Sequence, residues 1–364
     1  MINFLKQLVE IESPSNDKSA VDRVGAVIAD ECRKLGAQVE LHPQTNTGDH
    51  IVARFAGTAV RRGILILSHM DTVFPPGTLK TMPFYQKEGR IFGPGVLDMK
   101  GGIVITLNAI SALLSSGRLD TLPVTALFTS DEEIGSHTSR ALIESLALDS
   151  SVVFVMESGL VDGALKTWRK GVGGFNVSVK GRAAHAGGDH AQGRNAIEEM
   201  AHQVIAIQKL TDYTRQTTLN VGVIHGGTVS NVVPENAFAE VDVRVMQPGE
   251  WERIEAGMQN LKPVLQGTSI EINGGLNRPP MPYNGINQAA FAKACQIAKD
   301  KLGMELKAGG SGGASDGNFV APLGVPVLDG MGAVGEGYHS DREYIFAASL
   351  EERSNLLAAL IQNW

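Results

Sequence analysis

Metal-ligating and acid–base side chains recur immediately after short apolar runs. Residues 63–68 (GILILS) lead into His69-Met70-Asp71, residues 124–129 (VTALFT) into Ser130-Asp131-Glu132-Glu133, and residues 151–156 (SVVFVM) into Glu157. The loop Gly93-Pro94-Gly95-Val96-Leu97-Asp98 runs into Met99-Lys100-Gly101-Gly102, and Gly337-Tyr338-His339-Ser340-Asp341 precedes the last helical stretch. Each signal is weak alone, since a run such as Asp-Glu-Glu is commonly a solvated helix start favoured by the helix dipole. Their joint placement is the stronger signal, because the carboxyl ends of strands in an open α/β sheet share the edge where ligands bind. Imidazole with carboxylate is a donor set that suits zinc. If Asp71, Asp98, Glu132, Glu133 and Glu157 converge, they raise one another's pKa unless cations offset the charge. A metal pair needs a bridging carboxylate and two further ligands on each ion. His69, Asp98, Glu133, Glu157 and His339 meet that requirement when Asp98 is used as the bridge.

The elements that must position these groups read as an α/β architecture. Helical periodicity covers 18–36, 99–116 and about 137–147. Strand-like segments cover 38–42 and 50–55, and the three apolar runs fit strands buried on both faces. This alternation predicts a mostly parallel, helix-covered sheet. Near Lys166 the pattern changes to strand 172–180, helix 195–210, strands 217–225 and 236–246, helix 250–265 and strand 268–273. That β-α-β-β-α-β order predicts an inserted ferredoxin-like domain. Residues 277–282 (NRPPMP) read as a linker. After it come helix 287–302, a short strand near 305, a glycine-rich loop at 309–317, strand 325–328 and helix 347–362. The expected organisation is a discontinuous catalytic domain, 1–169 and 277–364, with an inserted domain at 170–276.

Composition narrows the function classes. The 364 residues are 43% hydrophobic and 20% charged, which is globular rather than disordered. The net charge of −7 argues against binding nucleic acid or an anionic membrane. Cys32 and Cys295 form no CxxC pair, which excludes a cysteine-rich zinc site and fits buried thiols in a reducing compartment. The start MINFLKQLVEIESPSND lacks a signal-peptide pattern, and no stretch approaches about 18 uncharged apolar residues. A cytoplasmic location is therefore expected. No GxGxxG follows the first strand to open a helix, which disfavours a nucleotide-binding oxidoreductase.

SHMDTVFP, GPGVLDMKGG, TSDEEIGS, the glutamate of MESG, GRAAHAG, GGTVSNVVPENA, DVRV, GGASDGNF and GYHSD occur in this order. Together they resemble the zinc-dependent M20 metallopeptidases, and within them the glutamate carboxypeptidase branch, over nearly the whole chain from Val21 onward. The resemblance implies a catalytic α/β domain with a ferredoxin-like lid that dimerises, and two Zn²⁺ per subunit, with Co²⁺ or Mn²⁺ as substitutes. It implies that Asp98 bridges the ions and precedes a cis peptide to Met99. His69 and Glu157 complete one ion, and Glu133 and His339 the other. Asp71 orients the His69 imidazole. Glu132 is the general base, taking a proton from the attacking water and returning it to the leaving nitrogen. His185 stabilises the oxyanion in the partner subunit's site. Arg244 binds the substrate carboxylate, Asn231 adds a hydrogen bond, Gly312 and Gly313 offer backbone N–H groups, and Lys166 faces the carboxylate. His137, His190 and His225 are bystanders.

Three features depart from that branch: Met99 where a second acidic residue is expected, the bulky and basic Trp168-Arg169-Lys170, and the absence of an export signal. The activity implied is hydrolysis of an amide beside a free α-carboxylate, in a small N-acyl amino acid or short peptide. Glutamate carboxypeptidase comes first, and an N-acyl-amino-acid deacylase, desuccinylase or deacetylase is the alternative. Glu157, where an aspartate would mark di- and tripeptidases, favours both over those enzymes. A non-catalytic metal-binding or dimerisation module is disfavoured, because base, ligands and oxyanion histidine are all in place.

Overall fold

A computed structural model describes residues 1–55, 62–119 and 123–364. The chain divides into two compact units: Met1–Trp168 with Tyr283–Ser311 and Ser315–Trp364, and Arg169–Pro282 with Gly312–Ala314.

The first unit is built on a six-stranded sheet. Its order is Gln38–His42, His50–Phe55, Val124–Thr129, Gly63–His69, Ser150–Val155 and Val327–Leu328. The first two pairings are antiparallel and the other three parallel. The central strands are the apolar runs, buried on both faces by helices, as parallel strands must be. Helix Gly101–Ser115 is apolar nearly all round and mostly buried. With the preceding turn it forms a segment, Val96–Ser115, long and apolar enough to cross a membrane, but 78% buried as a core helix is. It starts two residues later than its periodicity suggests, because Asp98 and Met99 are non-helical and joined by a cis peptide bond. Its start backs directly onto the strand that delivers Glu157. A Cβ at Gly102 would lie 2.1 Å from the Met156 carbonyl oxygen, so only glycine fits.

Helix Arg140–Leu148 also begins later than expected, because Asp131 holds the preceding turn by accepting hydrogen bonds from the N–H and hydroxyl of Thr138 (2.7 and 2.8 Å). No strand forms at 305. The strand is Ala308–Ser311, inside the stretch read as a glycine loop, and it pairs with Leu165–Arg169. Glycine there serves packing: a Cβ at Gly310 would fall 1.9 Å from the Trp168 indole. A second small sheet, of strands Gly335–Glu336, Tyr344–Phe346, Arg90–Phe92 and Tyr85–Lys87, went unrecognised because each strand has two or three residues. It is held by the stack of Tyr85 on Phe92 (4.6 Å) and by Arg90 over the Tyr344 ring (4.5 Å).

The second unit is a four-stranded antiparallel sheet, ordered Thr218–Gly226, Asn236–Val245, Gly171–Lys180 and Ser269–Arg278. Alternate residues Phe175, Val177, Val179, Ala239, Val241 and Val243 are buried in one core with Trp251, Ile254 and Met258. Helices Ala196–Gln208 and Glu250–Gln259 contribute to that core. The segment read as a linker belongs to this unit, because Arg169 and Met281 exchange backbone hydrogen bonds of 2.9 and 3.0 Å.

Glu250 is 2% exposed and takes hydrogen bonds from Arg253 (2.8 Å), Arg215 (2.9 Å) and Thr217 (2.7 Å). These donors, Arg253 foremost, draw its carboxyl down to about 2. A depressed carboxylate stabilises the fold above its unfolded pKa and loses that contribution as pH falls through the folded value. Glu250→Gln is therefore expected to lower stability by about 1–2 kcal/mol near neutrality. In urea unfolding, the gap to wild type should narrow below pH 4.5 and close near pH 2. A gap independent of pH would contradict this assignment.

Candidate metal centre

Two imidazoles share one aspartate. His69 ends the strand Gly63–His69 and is 2% exposed. Its Nε2 lies 3.1 Å from Asp98 Oδ1 and 3.4 Å from Glu157 Oε1. His339 Nε2 lies 3.1 Å from Asp98 Oδ2 and 3.3 Å from Glu133 Oε2. Each oxygen of Asp98 thus serves a different histidine, and each histidine has one further glutamate. His339 adopts a left-handed φ of 60°, a conformation uncommon for a non-glycine residue that clusters at functional sites.

Asp71 is fully buried and does more than face His69. The Nδ1 of His69 is 3.4 Å from Asp71 Oδ1 and 3.0 Å from the Asp71 carbonyl. The carboxylate also accepts the N–H of Glu132 (3.3 Å) and of Glu133 (3.2 Å). Ser15, which the sequence reading missed, donates to it at 2.6 Å. Asp71 therefore splints the turn that presents both glutamates. Met99 is buried, with its sulfur 3.2 Å from the His69 N–H, so a thioether rather than a charge fits that position.

The electrostatics of the cluster favour positive charge between its carboxylates. Burial works against charge on His69, Asp98, Glu133 and His339. Even so, Asp71, Asp98 and Glu157 lift His69 well above the usual imidazole range. Hydrogen bonds that the His339 ring donates to Asp98 and Glu133 raise it to about 11. Asp98 is held far below the carboxylate range by the two histidines, whereas burial and the Asp98 charge push Glu133 up to about 7. Protons on the imidazoles thus supply positive charge that divalent cations would supply instead. Glu133 Oε1 is buried with no hydrogen-bond partner. Ligand atoms of His69, Asp98 and Glu133, and of His69, Glu132 and Glu157, lie within 4.8 Å of one another. These groupings follow proximity alone, so they overlap at His69 and include Glu132; the shorter ion-pair distances place Glu133 with His339. Donor chemistry, the divided Asp98 and the orphaned oxygen together fit a pair of divalent cations.

The chain matches Peptidase family M20/M25/M40 over residues 65–363. It belongs to the M20 peptidase family. This M20 chain is 30% identical over 375 residues to carboxypeptidase G2 of Pseudomonas sp. (strain RS-16), covering 100% of this chain and 89% of that protein. Its fold is shared with the M20 family metallo-carboxypeptidase Sso-CP2 of Sulfolobus solfataricus (TM-score 0.81, 17% identity, 100% and 98% of the two chains). It is shared too with the Bacillus subtilis YXEP protein, a dinuclear metal-binding M20 peptidase (TM-score 0.69, 18% identity, 99% and 96%). As a member of the family, this chain is a peptidase or amidohydrolase enzyme.

The remaining candidates fall into smaller groups. In the second unit, His185 lies on Ala184–His185, paired with Val232–Val233, and Asn231 accepts the Ala186 N–H at 2.9 Å, so the two are neighbours. His185 Nδ1 accepts the N–H groups of Gly187 (3.1 Å) and Gly188 (2.9 Å), which places the neutral ring's proton on Nε2. Arg244 is engaged by Asp242, two residues back on the same face of the strand, through Nε (2.8 Å) and Nη2 (2.8 Å). Its Nη1 is 3.5 Å from the Gly312 carbonyl, and Arg169 donates to the Gly313 carbonyl at 3.1 Å. The carbonyls of this loop, rather than its N–H groups, are what face the two arginines. Lys166 is in the first unit, buried, with Nζ 3.2 Å from Ser158 Oγ. It lies on the strand Leu165–Arg169. Glu343 was also missed in sequence. It is fully buried and bonded to the backbone of the Asp98 loop, and only its spacing of four from His339 hints at it.

Proposed function

We propose that this chain is a dinuclear zinc hydrolase that cleaves the amide bond of an N-acyl or peptidyl amino acid bearing a free α-carboxylate, with glutamate the first choice of amino acid. The observation that carries this reading is the division of Asp98 between His69 and His339. His69, Asp98 and Glu157 would hold one ion, and His339, Asp98 and Glu133 the other. When bound, such ions supply Lewis acidity and lower the pKa of water.

The chain's own groups do the rest. Glu132, splinted through Asp71, takes the proton of the attacking water and delivers it to the leaving nitrogen. Asp71 keeps His69 oriented. The Nε2–H of His185, with Asn231 beside it, is a donor suited to a developing oxyanion. Arg244, pre-set by Asp242, offers its remaining nitrogen to the substrate carboxylate. The second unit acts in this reading as the lid and homodimer contact. Ile197, Ile205 and Ile224 are exposed there, at 43%, 58% and 53%.

Arg244→Ala is expected to raise KM for carboxylate substrates about 10–100-fold and leave kcat nearly unchanged; an unchanged KM would remove Arg244 from this role. The reading as a whole is tested by amino-acid release from a panel of N-acyl-glutamates and N-acetyl amino acids, with and without chelator. Chelator-sensitive glutamate release supports it. Preference for acetyl-amino acids regardless of side chain would make the enzyme a deacylase instead.

A further inference from the structure

We infer that Glu343 is the positioning residue of the metal centre: it fixes the backbone of Asp98 so that both carboxylate oxygens are presented at once. This rests on the dinuclear reading above.

Glu343 is 0% exposed. Its Oε1 accepts the N–H of Leu97 (2.7 Å) and of Asp98 itself (3.1 Å), and its Oε2 accepts the N–H of Gly95 (3.1 Å). The loop is tightly wound. Gly95 has a φ of 74°, and a Cβ there would lie 2.8 Å from Thr72 Cγ2 and 3.3 Å from the Asp98 carbonyl oxygen. Asp98 and Met99 are non-helical, so helix hydrogen bonding does not satisfy these inward-pointing amides. They form an anion-binding concavity of the kind made by successive N–H groups, and Glu343 fills it. The nearby buried Lys100 ammonium is committed elsewhere, to the carbonyls of Leu8 (3.0 Å) and Ile11 (2.9 Å).

Position in the chain makes the clamp specific to the centre. Glu343 follows His339 by four residues. The next residue, Tyr344, pairs with Phe92, just before the Asp98 loop, and Ile345 pairs with Ile91. The segment that brings His339 to Asp98 Oδ2 is therefore the segment that grips the Asp98 main chain. The residue type matters as much as its reach. A carboxylate accepts on both oxygens, whereas a glutamine at this site would turn an NH₂ toward N–H donors.

Because Asp98 serves both ions, loosening it weakens both, whereas loss of a one-ion ligand weakens one. The experiment is a chelator-competition titration of Zn²⁺ into wild type, Glu343→Gln and His339→Ala, alongside the absorption spectra of the Co²⁺-loaded proteins and thermal unfolding of the metal-free ones. Glu343→Gln is expected to weaken both binding steps about 10–100-fold and to shift the Co²⁺ spectrum. His339→Ala should weaken one step and leave the other within a few-fold. A folded Glu343→Gln with wild-type affinity at both steps and an unchanged spectrum overturns the inference. If that variant does not fold, the same readings are taken on Glu343→Asp, which keeps the charge but is one methylene short; wild-type affinity at both steps there overturns it equally. Wild type binding fewer than two ions would instead overturn the dinuclear reading itself.

Discussion

Glu132→Ala should lower kcat by about 10²–10⁴-fold while the protein still binds its full complement of metal. Two observations separate this residue from its neighbour. Glu133 pairs with His339 at 3.3 Å and has a buried oxygen with no partner, as a ligand awaiting an ion would. Glu132 stands within 4.8 Å of His69 and Glu157 and is held through its backbone by Asp71, which leaves its carboxylate placed beside the centre. The conservative Glu132→Gln should be as inactive as alanine, because the amide fills the space but cannot carry the proton. Steady-state kinetics with metal analysis by mass spectrometry checks both variants. Substantial turnover in either, or metal loss in Glu132→Gln, would show that Glu132 is not the proton carrier.

Asp98→Asn is expected to weaken both metal-binding steps together, by about 100-fold or more, a loss exceeding that from an outer-shell residue. The reason is geometric: Oδ1 faces His69 and Oδ2 faces His339. Asparagine keeps one acceptor and replaces the other with a donor, which opposes a cation and a protonated imidazole alike. Zn²⁺ titration against a competing chelator reads this directly. Loss of one ion with retention of the other at wild-type affinity would mean that Asp98 is a ligand of one site and not a bridge.

Three of the candidate ligands, His69, Glu133 and Glu157, were legible in sequence because they follow buried strands. Runs such as GILILS, VTALFT and SVVFVM have an unbroken apolar character that parallel strands need, and the residue where the run ends is at the sheet edge. Asp98 and His339 sit in loops, and they were found through glycine punctuation and family motifs rather than periodicity. What escaped notice acts through backbone groups or through very short elements. Glu343 binds amides some 245 positions away, and no spacing rule reports such a contact. Ser15 reaches Asp71 across 56 positions. The small sheet that carries Tyr344 and Phe92 has strands too short for an alternating pattern. The strand Ala308–Ser311 was hidden by two glycines, Gly309 making room for Leu160 and Gly310 for Trp168. The Asp242–Arg244 pair is an i, i+2 contact on one strand face, which the strand periodicity alone makes legible.

The measurement that bears most directly on the central claim is anomalous diffraction at the zinc absorption edge from crystals grown with Zn²⁺. Two peaks are expected to flank the Asp98 carboxylate, one contacted by His69 and Glu157 and the other by Glu133 and His339, with Glu132 near both but ligating neither. A single peak, or two peaks that do not share Asp98, would contradict that claim.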